Sequence, residues 1–356
     1  MDLNEARKKI DRVDSEILSL LQQRLKLAGD VAKSKAEKGK PIFIPSRESE
    51  IMNSLLSKRG EIPAKSLKGI FSEVIAMTRA AEKPLSIAYL GPKTTFTHAA
   101  ALHKFGSTAE LVAHDSISSV FNSVEKRESD YGVVPIENSI EGSVSHTLDM
   151  FLDSSLNIVA EIMLDVKHHL LSNSPLKGTK TVYSHPQAFA QCRTWLAKNL
   201  PNAELVEASS TARAAELASK NKESAAIASE MAAEEFSLKI VSKCIEDSSS
   251  NVTRFIVIGK EQNQKTGKDK TSIMFSVQHK PGALFSALQP FQKHGLNMTK
   301  IESRPAKKKL WEVVFFIDFE GFRSDETVKK ALSDMGHHCL FVKVLGSYPE
   351  EVSVSW

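Results

Sequence analysis

The sequence predicts a multidomain chain: an all-α segment, an α/β segment and then a ferredoxin-like βαββαβ segment. Helical periodicity, broken only near glycine and proline, runs through residues 1–82. Short apolar runs alternate with amphipathic stretches through residues 85–260, a pattern typical of α/β domains. Residues 271–356 predict the order strand, helix, strand, strand, helix, strand. We therefore expect three domains with these boundaries.

Composition excludes several classes of protein. The chain has 356 residues, of which 41% are hydrophobic and 25% charged, as in an ordinary globular protein. The formal net charge of +4 is small and its basic residues are interleaved with acidic ones, so we expect no nucleic-acid partner. Cys192, Cys244 and Cys339 are sparse and lack CxxC spacing, which argues against disulfides and a zinc site. The histidine pairs also lack a third ligand, so we expect no metal.

The hydropathy pattern predicts no membrane association. The first residues, Met1 to Arg7, lack the apolar core of a signal peptide. No window of about 18 apolar residues occurs in the chain. A cytoplasmic location is therefore expected.

Three helices are predicted in the all-α segment. Residues 39–41 end the first helix and Pro45 begins the second. Residues 60–63 separate the second helix from the third, and Pro84 stops the third.

Cations interrupt the apolar seam of the first helix. Arg7, Arg24 and Lys35 lie on the same stripe as the apolar side chains, with Asp14 as the one acid among them. Buried cations need anionic partners, so this stripe leaves room for an anionic ligand. Arg7 and Arg24 are separated by roughly 25 Å along one helix, too far for one small ligand. An antiparallel second copy would bring its Arg7 near Arg24, which predicts a homodimer with shared sites.

Polar side chains also begin the second helix and end the third. Arg47 and Glu48 open the second helix. Thr78 and Glu82 end the apolar stripe of the third helix, and a solvent-facing last turn is the alternative explanation.

Residues 3–82 resemble the all-helical, AroQ-type chorismate mutases. Arg7 (from the partner chain), Arg24 and Lys35 match that family's ligands for the substrate carboxylates and ether oxygen, and Arg47, Glu48, Thr78 and Glu82 match further active-site positions. The resemblance implies a Claisen rearrangement of chorismate to prephenate, with Lys35 and Glu82 beside the breaking ether bond. Glu82 can donate there only when protonated, so we expect either that burial raises its pKa or that lower pH favours the reaction.

Five strands are predicted in the α/β segment, and polar clusters follow or begin them. The strands are Ser86–Leu90, Tyr131–Val134, Thr181–Tyr183, Ala225–Ala228 and Arg254–Ile258, and the helices include Ala188–Asn199 and Ala212–Asn221. The clusters are residues 91–97, 137–143, 184–187, 209–211 and 253–254. Each alone is more often a helix cap. Together they predict a ligand crevice at the strand ends.

Thr253 and Arg254 place a hydroxyl beside a guanidinium where the last strand begins. Arg at this position suggests a fork for a carboxylate. The alternative is a strand-entry loop with a solvated arginine.

Residues 85–260 resemble prephenate dehydratases in the segments around Asn138, Gln187 and Thr253–Phe255. The resemblance implies two α/β lobes with the active site between them. Thr253 would assist departure of the ring hydroxyl, Asn138 and Gln187 would position the substrate, and Arg254 would hold a carboxylate. Gln191 is an alternative to Gln187. Thr94 stands where that family commonly has glycine.

A polar linker, residues 260–270, precedes the ferredoxin-like segment. The first helix there opens at Pro281-Gly282, where free backbone N–H groups can bind a carboxylate. The segment resembles ACT domains of the phenylalanine-sensing kind. The matching residues, which the resemblance places at an effector site on a dimer interface, are Gly282, Ala283, Leu284, Glu302, Ser303, Arg304 and Pro305.

Together the three resemblances imply a bifunctional enzyme of phenylalanine biosynthesis. It would convert chorismate to prephenate and then to phenylpyruvate, water and carbon dioxide, without a cofactor, under feedback by phenylalanine. An arogenate dehydratase, a two-lobed amino-acid sensor and a dehydratase whose helices only dimerise stay open as alternatives. Ile44, where a chorismate mutase has an aspartate, supports the last of these.

Overall fold

The computed structural model describes residues 2–37, 41–248, 250–305 and 313–351. It confirms the multidomain fold: three helices, a two-lobed α/β region and a ferredoxin-like domain. The predicted helix break at Gly39 and Lys40 lies outside the described residues.

The helical domain consists of a long helix and two shorter ones that share one packing surface. Its elements are α1 (Leu3–Glu37), α2 (Pro45–Ser57) and α3 (Ala64–Glu82). Both α1 and α2 pack on α3. Apolar side chains of α1 face outward, with Ile17 49% exposed and Leu20 62% exposed. No helix in the described part of the chain is long and apolar enough to cross a bilayer.

The first α/β lobe is built on a sheet with the order β2-β1-β3-β11-β5, and β4 pairs with β3. The strands are β1 (Ser86–Leu90), β2 (Glu110–His114), β3 (Tyr131–Asn138), β4 (Gly142–Ser143), β5 (Asn157–Asp165) and β11 (Val252–Gly259). The helices are α4 (Phe96–Phe105), α5 (Ile117–Glu125) and α6 (Ser145–Met150). The antiparallel strand β11 begins at the edge of the sheet where β3 ends.

The second lobe has a sheet with the order β10-β6-β9-β7-β8. The strands are β6 (His169–Ser172), β7 (Thr181–Ser184), β8 (Glu204–Glu207), β9 (Ser224–Ala228) and β10 (Lys239–Ser242). The helices are α7 (Pro186–Gln191), α8 (Arg193–Asn199), α9 (Thr211–Ser219) and α10 (Glu230–Glu235), with a short 3-10 turn at Leu176–Gly178.

The single helix predicted over Ala188–Asn199 is wrong, because the chain breaks at Cys192 into α7 and α8. The Asp247 carboxylate accepts from the backbone N–H groups of Thr194 (2.9 Å) and Trp195 (3.2 Å). This contact caps a new helix from outside the segment, so local periodicity does not reveal it.

The ferredoxin-like domain has the predicted βαββαβ order. Its elements are β12 (Asp269–Ser276), α11 (Ala283–Lys293), β13 (Met298–Pro305), β14 (Val313–Glu320), α12 (Glu326–Gly336) and β15 (Phe341–Pro349), with sheet order β13-β14-β12-β15. Met274, Phe316 and Leu345 of this sheet share one buried cluster with Ile158 and Ile256 of the first lobe. The two domains are therefore joined by a common apolar core.

A buried ion cluster lies at the same junction and is centred on Arg254. Its Nε donates to Glu161 at 2.8 Å, its Nη1 donates to Asp318 and its Nη2 donates to the Tyr348 hydroxyl at 2.9 Å. Burial alone would lower the pKa of Arg254, but Tyr348, Asp318 and Glu161 raise it above its usual range. Lys270 also donates to Glu161, at 3.0 Å.

The structure contradicts the prediction that Arg254 holds a substrate carboxylate. Arg254 is 7% exposed, and its guanidinium donates hydrogen bonds to three partners at the domain junction. Thr253 precedes it on β11 and points to the opposite face, because side chains alternate along a strand. The two residues are neighbours in sequence, but Thr253 faces the cleft whereas Arg254 faces the domain junction.

Replacing Arg254 by methionine should destabilise the protein strongly. Glu161 and Asp318 would remain buried without their shared cation, and removal of one partner of a buried ion pair typically costs about 3–5 kcal/mol. Denaturant unfolding measures this loss. The matched control is Arg213→Met, which removes an exposed pair with Glu216 and should change the free energy of unfolding by less than about 0.5 kcal/mol. Equal midpoints for the two variants would contradict the structural role of Arg254.

Candidate active sites

Two predicted cations meet two predicted polar residues between α1 and α3. Arg24 donates to the Val74 carbonyl at 3.0 Å and to the Thr78 hydroxyl. One turn further along α3, Lys35 donates to Glu82 at 2.8 Å. Burial lowers the pKa of Arg24. The structure thus gathers four of the seven residues predicted for this site into one group.

The other three predicted residues lie elsewhere in the protomer. Arg7 is exposed on α1, and Arg47 is exposed and pairs with Glu50 at 2.9 Å. Glu48 accepts from Arg79 and lines a separate cavity of about 490 Å³ at the junction of the three domains. The expectation that Glu48 and Arg47 join Arg24 and Lys35 is therefore wrong for a single chain, because Arg79 takes up the Glu48 carboxylate.

A cleft between the two α/β lobes brings the polar clusters together. The cavity has a volume of about 600 Å³, and both lobes contribute to its walls. Lining residues from the five predicted clusters are Thr95, Asn138, Gln187, Ser210 and Thr253. The loops that follow the parallel strands β1, β7 and β8 lie at this crevice, and β11 begins there. Residues far apart in sequence therefore converge at the crevice.

Asn138 and Thr253 are paired across β3 and β11 and form the polar centre of the cleft. The Asn138 Nδ2 donates to the Thr253 hydroxyl at 2.8 Å and to the Asn251 Oδ1 at 2.8 Å. The Asn138 Oδ1 accepts from the backbone N–H groups of Ile140 and Glu141. The loop after β3 therefore fixes the amide that holds Thr253.

Gln187 and Gln191 both reach the cleft from α7, and both donate to the Glu141 carboxylate. The sequence offered them as alternatives, and the structure places both at the cleft. The sequence did not single out Glu141, Asn251 or His168, which the structure places at or next to the cleft. His168, 3% exposed, contacts Gln191 at 2.9 Å. An isolated histidine pair in sequence carries no signal for this contact.

The walls of the cleft supply neutral donors for anions. Helices α4 and α9 begin at the cleft from opposite lobes, with Thr95 and Ser210 as their N-caps. Among the described residues that line the cleft, none is lysine or arginine. Carboxylates would thus meet helix N-termini and side-chain amides rather than cations.

Thr94 adopts a left-handed backbone conformation, with φ of 70°, just before α4. A β-branched residue rarely adopts this geometry, whereas glycine does so without strain. The departure from glycine noted in the sequence therefore falls at a position where glycine would fit more easily.

The predicted effector residues are divided between two faces of the third domain. Gly282 is the left-handed N-cap of α11, with φ of 77°. Glu302 accepts from the Ser143 hydroxyl at 2.9 Å, and Arg304 donates to the Ser145 hydroxyl. These two side chains face the first α/β lobe, and β14 separates β13 from β12. Among the described residues of one chain, no hydrogen bond or ion pair joins residues 282–284 to residues 302–305.

Across the described parts of the chain, no group of three or more His, Cys, Asp or Glu side chains could hold a metal ion. The buried Cys192 thiol has its pKa raised by burial, and Glu246 and Asp247 raise it further.

Three family models match the chain in the order of its domains. They describe chorismate mutase type II over residues 6–83, prephenate dehydratase over residues 87–263 and the ACT domain over residues 271–337. A bifunctional chorismate mutase/prephenate dehydratase of Aquifex aeolicus is 48% identical over 355 residues, which cover 98% of each chain.

Solved structures resemble the last two domains. A prephenate dehydratase from Arthrobacter aurescens in complex with L-Phe superposes with a TM-score of 0.70 at 33% identity, covering 75% of this chain and 90% of that one. A quorum-quenching acylase, GqqA, superposes with a TM-score of 0.67 at 27% identity, covering 75% and 98%. With the near full-length match to the Aquifex protein, the domain order shows that the chain belongs to the bifunctional chorismate mutase/prephenate dehydratase family.

Proposed function

We propose that the chain converts chorismate to prephenate at the Arg24 and Lys35 group and prephenate to phenylpyruvate at the Thr253 cleft. The observation that carries this proposal is the separation of a cationic group on the helices from a cleft between the lobes whose described lining has neutral donors but no lysine or arginine. Each suits one of the two reactions. Family membership supports both activities, and a role in phenylalanine biosynthesis follows.

The first reaction needs no acid, base or nucleophile. A Claisen rearrangement requires that the dianion be held compactly and that charge on the breaking ether oxygen be stabilised. Arg24, oriented by Thr78, would bind a carboxylate. Lys35, which contacts Glu82 here, would donate to the ether oxygen, and Glu82 would be a second donor to it when protonated.

A second copy of the chain would complete this site. Arg7 is exposed on α1, roughly 25 Å from Arg24 along the helix, and apolar side chains such as Leu20 and Leu27 are also exposed. An antiparallel partner helix would cover the apolar side chains and bring its own Arg7 to Arg24. We therefore propose a homodimer or a higher homo-oligomer.

The second reaction removes carbon dioxide and the ring hydroxyl while the ring becomes aromatic. The electrons of the breaking bond to the carboxylate enter the ring as the hydroxyl departs, and one proton is taken up so that it leaves as water. Thr253 would donate to the departing oxygen. Its own oxygen accepts from Asn138, so its proton is free for this task. The N-termini of α4 and α9 would bind the substrate carboxylates.

Two alternatives fit the contacts less well. An acylase needs a nucleophile beside a base, yet among the described residues the hydrogen-bond partner of the Thr253 hydroxyl is the Asn138 amide, a donor. An arogenate dehydratase would bind a substrate that carries an ammonium group where prephenate has its keto group. The match to bifunctional relatives favours prephenate, and a direct competition between the two substrates tests the choice.

Two variants should separate the two activities. Arg24→Ala should abolish prephenate formation from chorismate but leave the conversion of added prephenate unchanged, and Thr253→Ala should do the reverse. Loss of a positioned donor typically lowers kcat about 100-fold or more. Prephenate and phenylpyruvate are followed separately after incubation with chorismate. Loss of both steps in either variant, with the fold intact, would argue for a single shared site.

Glu82→Gln should flatten the pH profile of the mutase step. Glutamine can donate through its amide at any pH, whereas glutamate donates only when protonated. We expect wild-type mutase activity to rise as the pH falls, and the variant's activity to change little. Glu61→Gln, an exposed position between α2 and α3, is the control and should keep the wild-type profile. An unchanged acid preference in Glu82→Gln would exclude Glu82 as the donor.

We also propose that phenylalanine binding to the third domain lowers dehydratase activity through β13. Lys300 pairs with Glu137 at 2.9 Å, and Glu302 contacts Ser143 at 2.9 Å. Glu137 and Ser143 flank the loop that carries Asn138. A shift of β13 on effector binding would therefore reach the residue that holds Thr253, which gives the coupling a short physical route.

Arg304→Ala should weaken this feedback. The variant loses its contacts with Ser145 and Asp149, so effector binding should act less on the cleft, and the phenylalanine concentration for half inhibition should rise about fivefold or more. Dehydratase rates are measured against phenylalanine concentration, with mutase activity as an internal reference. Arg323→Ala, an exposed position on the same domain, should leave inhibition unchanged. Identical inhibition curves for the two variants would refute a role for Arg304.

A further inference from the structure

We propose that Asn251 and His168 are positioning residues for the dehydratase reaction. They extend a chain of hydrogen bonds whose donor direction is set by two backbone amides, and this direction keeps the Thr253 proton free for the substrate. The inference rests on the proposed dehydratase function of the cleft. Both residues are more than nine-tenths buried, with exposures of 2% and 3%.

The chain begins at Asn138, where the backbone decides which amide atom faces which way. The N–H groups of Ile140 and Glu141 donate to one terminal atom of the Asn138 side chain, at 2.9 and 3.1 Å. A backbone N–H can only donate, so that atom is the oxygen. The nitrogen therefore carries both remaining contacts, to Thr253 and Asn251, as a donor.

The same logic passes the direction on through Asn251 and Gln191. Asn251 receives the Asn138 hydrogen on its oxygen, so its nitrogen must donate to Gln191, at 2.8 Å. Gln191 then presents its oxygen to Asn251 and its nitrogen to the Glu141 carboxylate, at 3.0 Å. Each amide has one orientation that satisfies both neighbours.

His168 is the last residue in this chain of hydrogen bonds, and the orientation of the Gln191 amide determines its tautomer. Its Nε2 lies 2.9 Å from the Gln191 oxygen, an acceptor, so Nε2 carries the hydrogen. The Nδ1 atom is buried without a hydrogen-bond partner among the described residues. Burial lowers the pKa of His168, although Gln191 and Glu246 oppose this effect. The neutral Nε2–H form therefore closes the chain.

The consequence at the far end concerns Thr253. Its oxygen accepts from Asn138, so the hydroxyl proton does not enter this chain of bonds and is available to the cleft. If the direction were reversed at Asn251, Gln191 would have to turn its amide, and the Asn251 nitrogen would face the Asn138 nitrogen. Asn138 would then lose an acceptor and shift away from the position in which it holds Thr253. Asn251 and His168 thus act on the reaction through Asn138 rather than by contact with substrate.

Asn251→Asp tests the direction of the chain with almost no change of shape. As a carboxylate, residue 251 has no hydrogen to donate to Gln191 and competes with Thr253 for the Asn138 amide. At about pH 8 the dehydratase kcat should fall about tenfold or more, with little change in KM. Mutase activity, which uses a separate site, should stay at the wild-type level and reports that the protein is folded.

Lowering the pH should restore the variant. A protonated carboxyl offers one donor and one acceptor, as the asparagine does, and burial raises the pKa of such a carboxyl above its ordinary value of about 3.9. The ratio of variant to wild-type kcat should rise as the pH is lowered from about 8 to about 5.5. The titratable groups around position 251 are Glu141, Asp165, His168, Glu246 and Asp247. They are present in both proteins, so the ratio removes their common effect.

Asn199→Asp is the matched control. Asn199 lies on the surface of α8 and donates to the Trp195 carbonyl. It makes the same chemical change in the same lobe, and its dehydratase ratio should stay near one at every pH. Wild-type dehydratase rates for Asn251→Asp throughout, or a loss that does not recover at low pH, would overturn the inference.

A second pair of variants decides the matter if Asn251→Asp does not fold, which loss of both activities would reveal. His168→Gln keeps an amide donor within reach of Gln191, whereas His168→Leu removes it. We expect the glutamine variant to retain dehydratase kcat within about threefold and the leucine variant to lose about tenfold or more. Equal activities in this pair would overturn the inference. A wild-type protein without dehydratase activity would instead refute the proposed function itself.

Discussion

The register between β3 and β11 is the constraint on which the rest of the dehydratase region depends. It sets Asn138 opposite Thr253 and Glu137 opposite Arg254. Because side chains alternate along each strand, the first pair faces the cleft and the second faces the third domain. A slip by one residue would exchange the two faces, placing charge in the cleft and a hydroxyl in the ion cluster. The irregular register just beyond Arg254 is the kind of local feature that often borders an active site.

Arg254 joins β11, the strand of the proposed dehydratase cleft, to the third domain, where we propose that the effector binds. Glu161 and Asp318, one from each domain, share its guanidinium, and Tyr348 completes the cluster. Charges buried this deeply are costly to separate, so the third domain is expected to move together with β11 rather than slide over it. Effector contacts along β13 would then be felt one residue away from Thr253. On this proposal, the stability of the domain junction and the response of the cleft to the effector would both depend on the Arg254 cluster.

The two proposed sites differ in how much one chain provides. The cleft holds Asn138, Thr253 and their partners within a single protomer, supported by two sheets that fix the side chains. On the helices, one chain provides Arg24 and Lys35 while Arg7 is exposed on the same helix. A straight helix cannot fold back on itself, so a second copy is the physical route to a third cation. On these proposals, assembly and chemistry would be coupled on the helices, whereas the cleft would depend on the order of its own hydrogen bonds.

The sequence by itself determined the three domains and the residue types of both sites, since periodicity, breaks and misplaced charges are local properties. It also predicted that Thr253 and Asn138 lie at one crevice, because strand ends of an α/β sheet meet at one edge. Tertiary structure decided the direction of each side chain. Arg254 turned to Glu161 and Asp318, partners that lie far away in the sequence. His168, unremarkable in the sequence, lies at the end of a directed hydrogen-bond network, because burial and the Gln191 oxygen favour the neutral form that carries its hydrogen on Nε2.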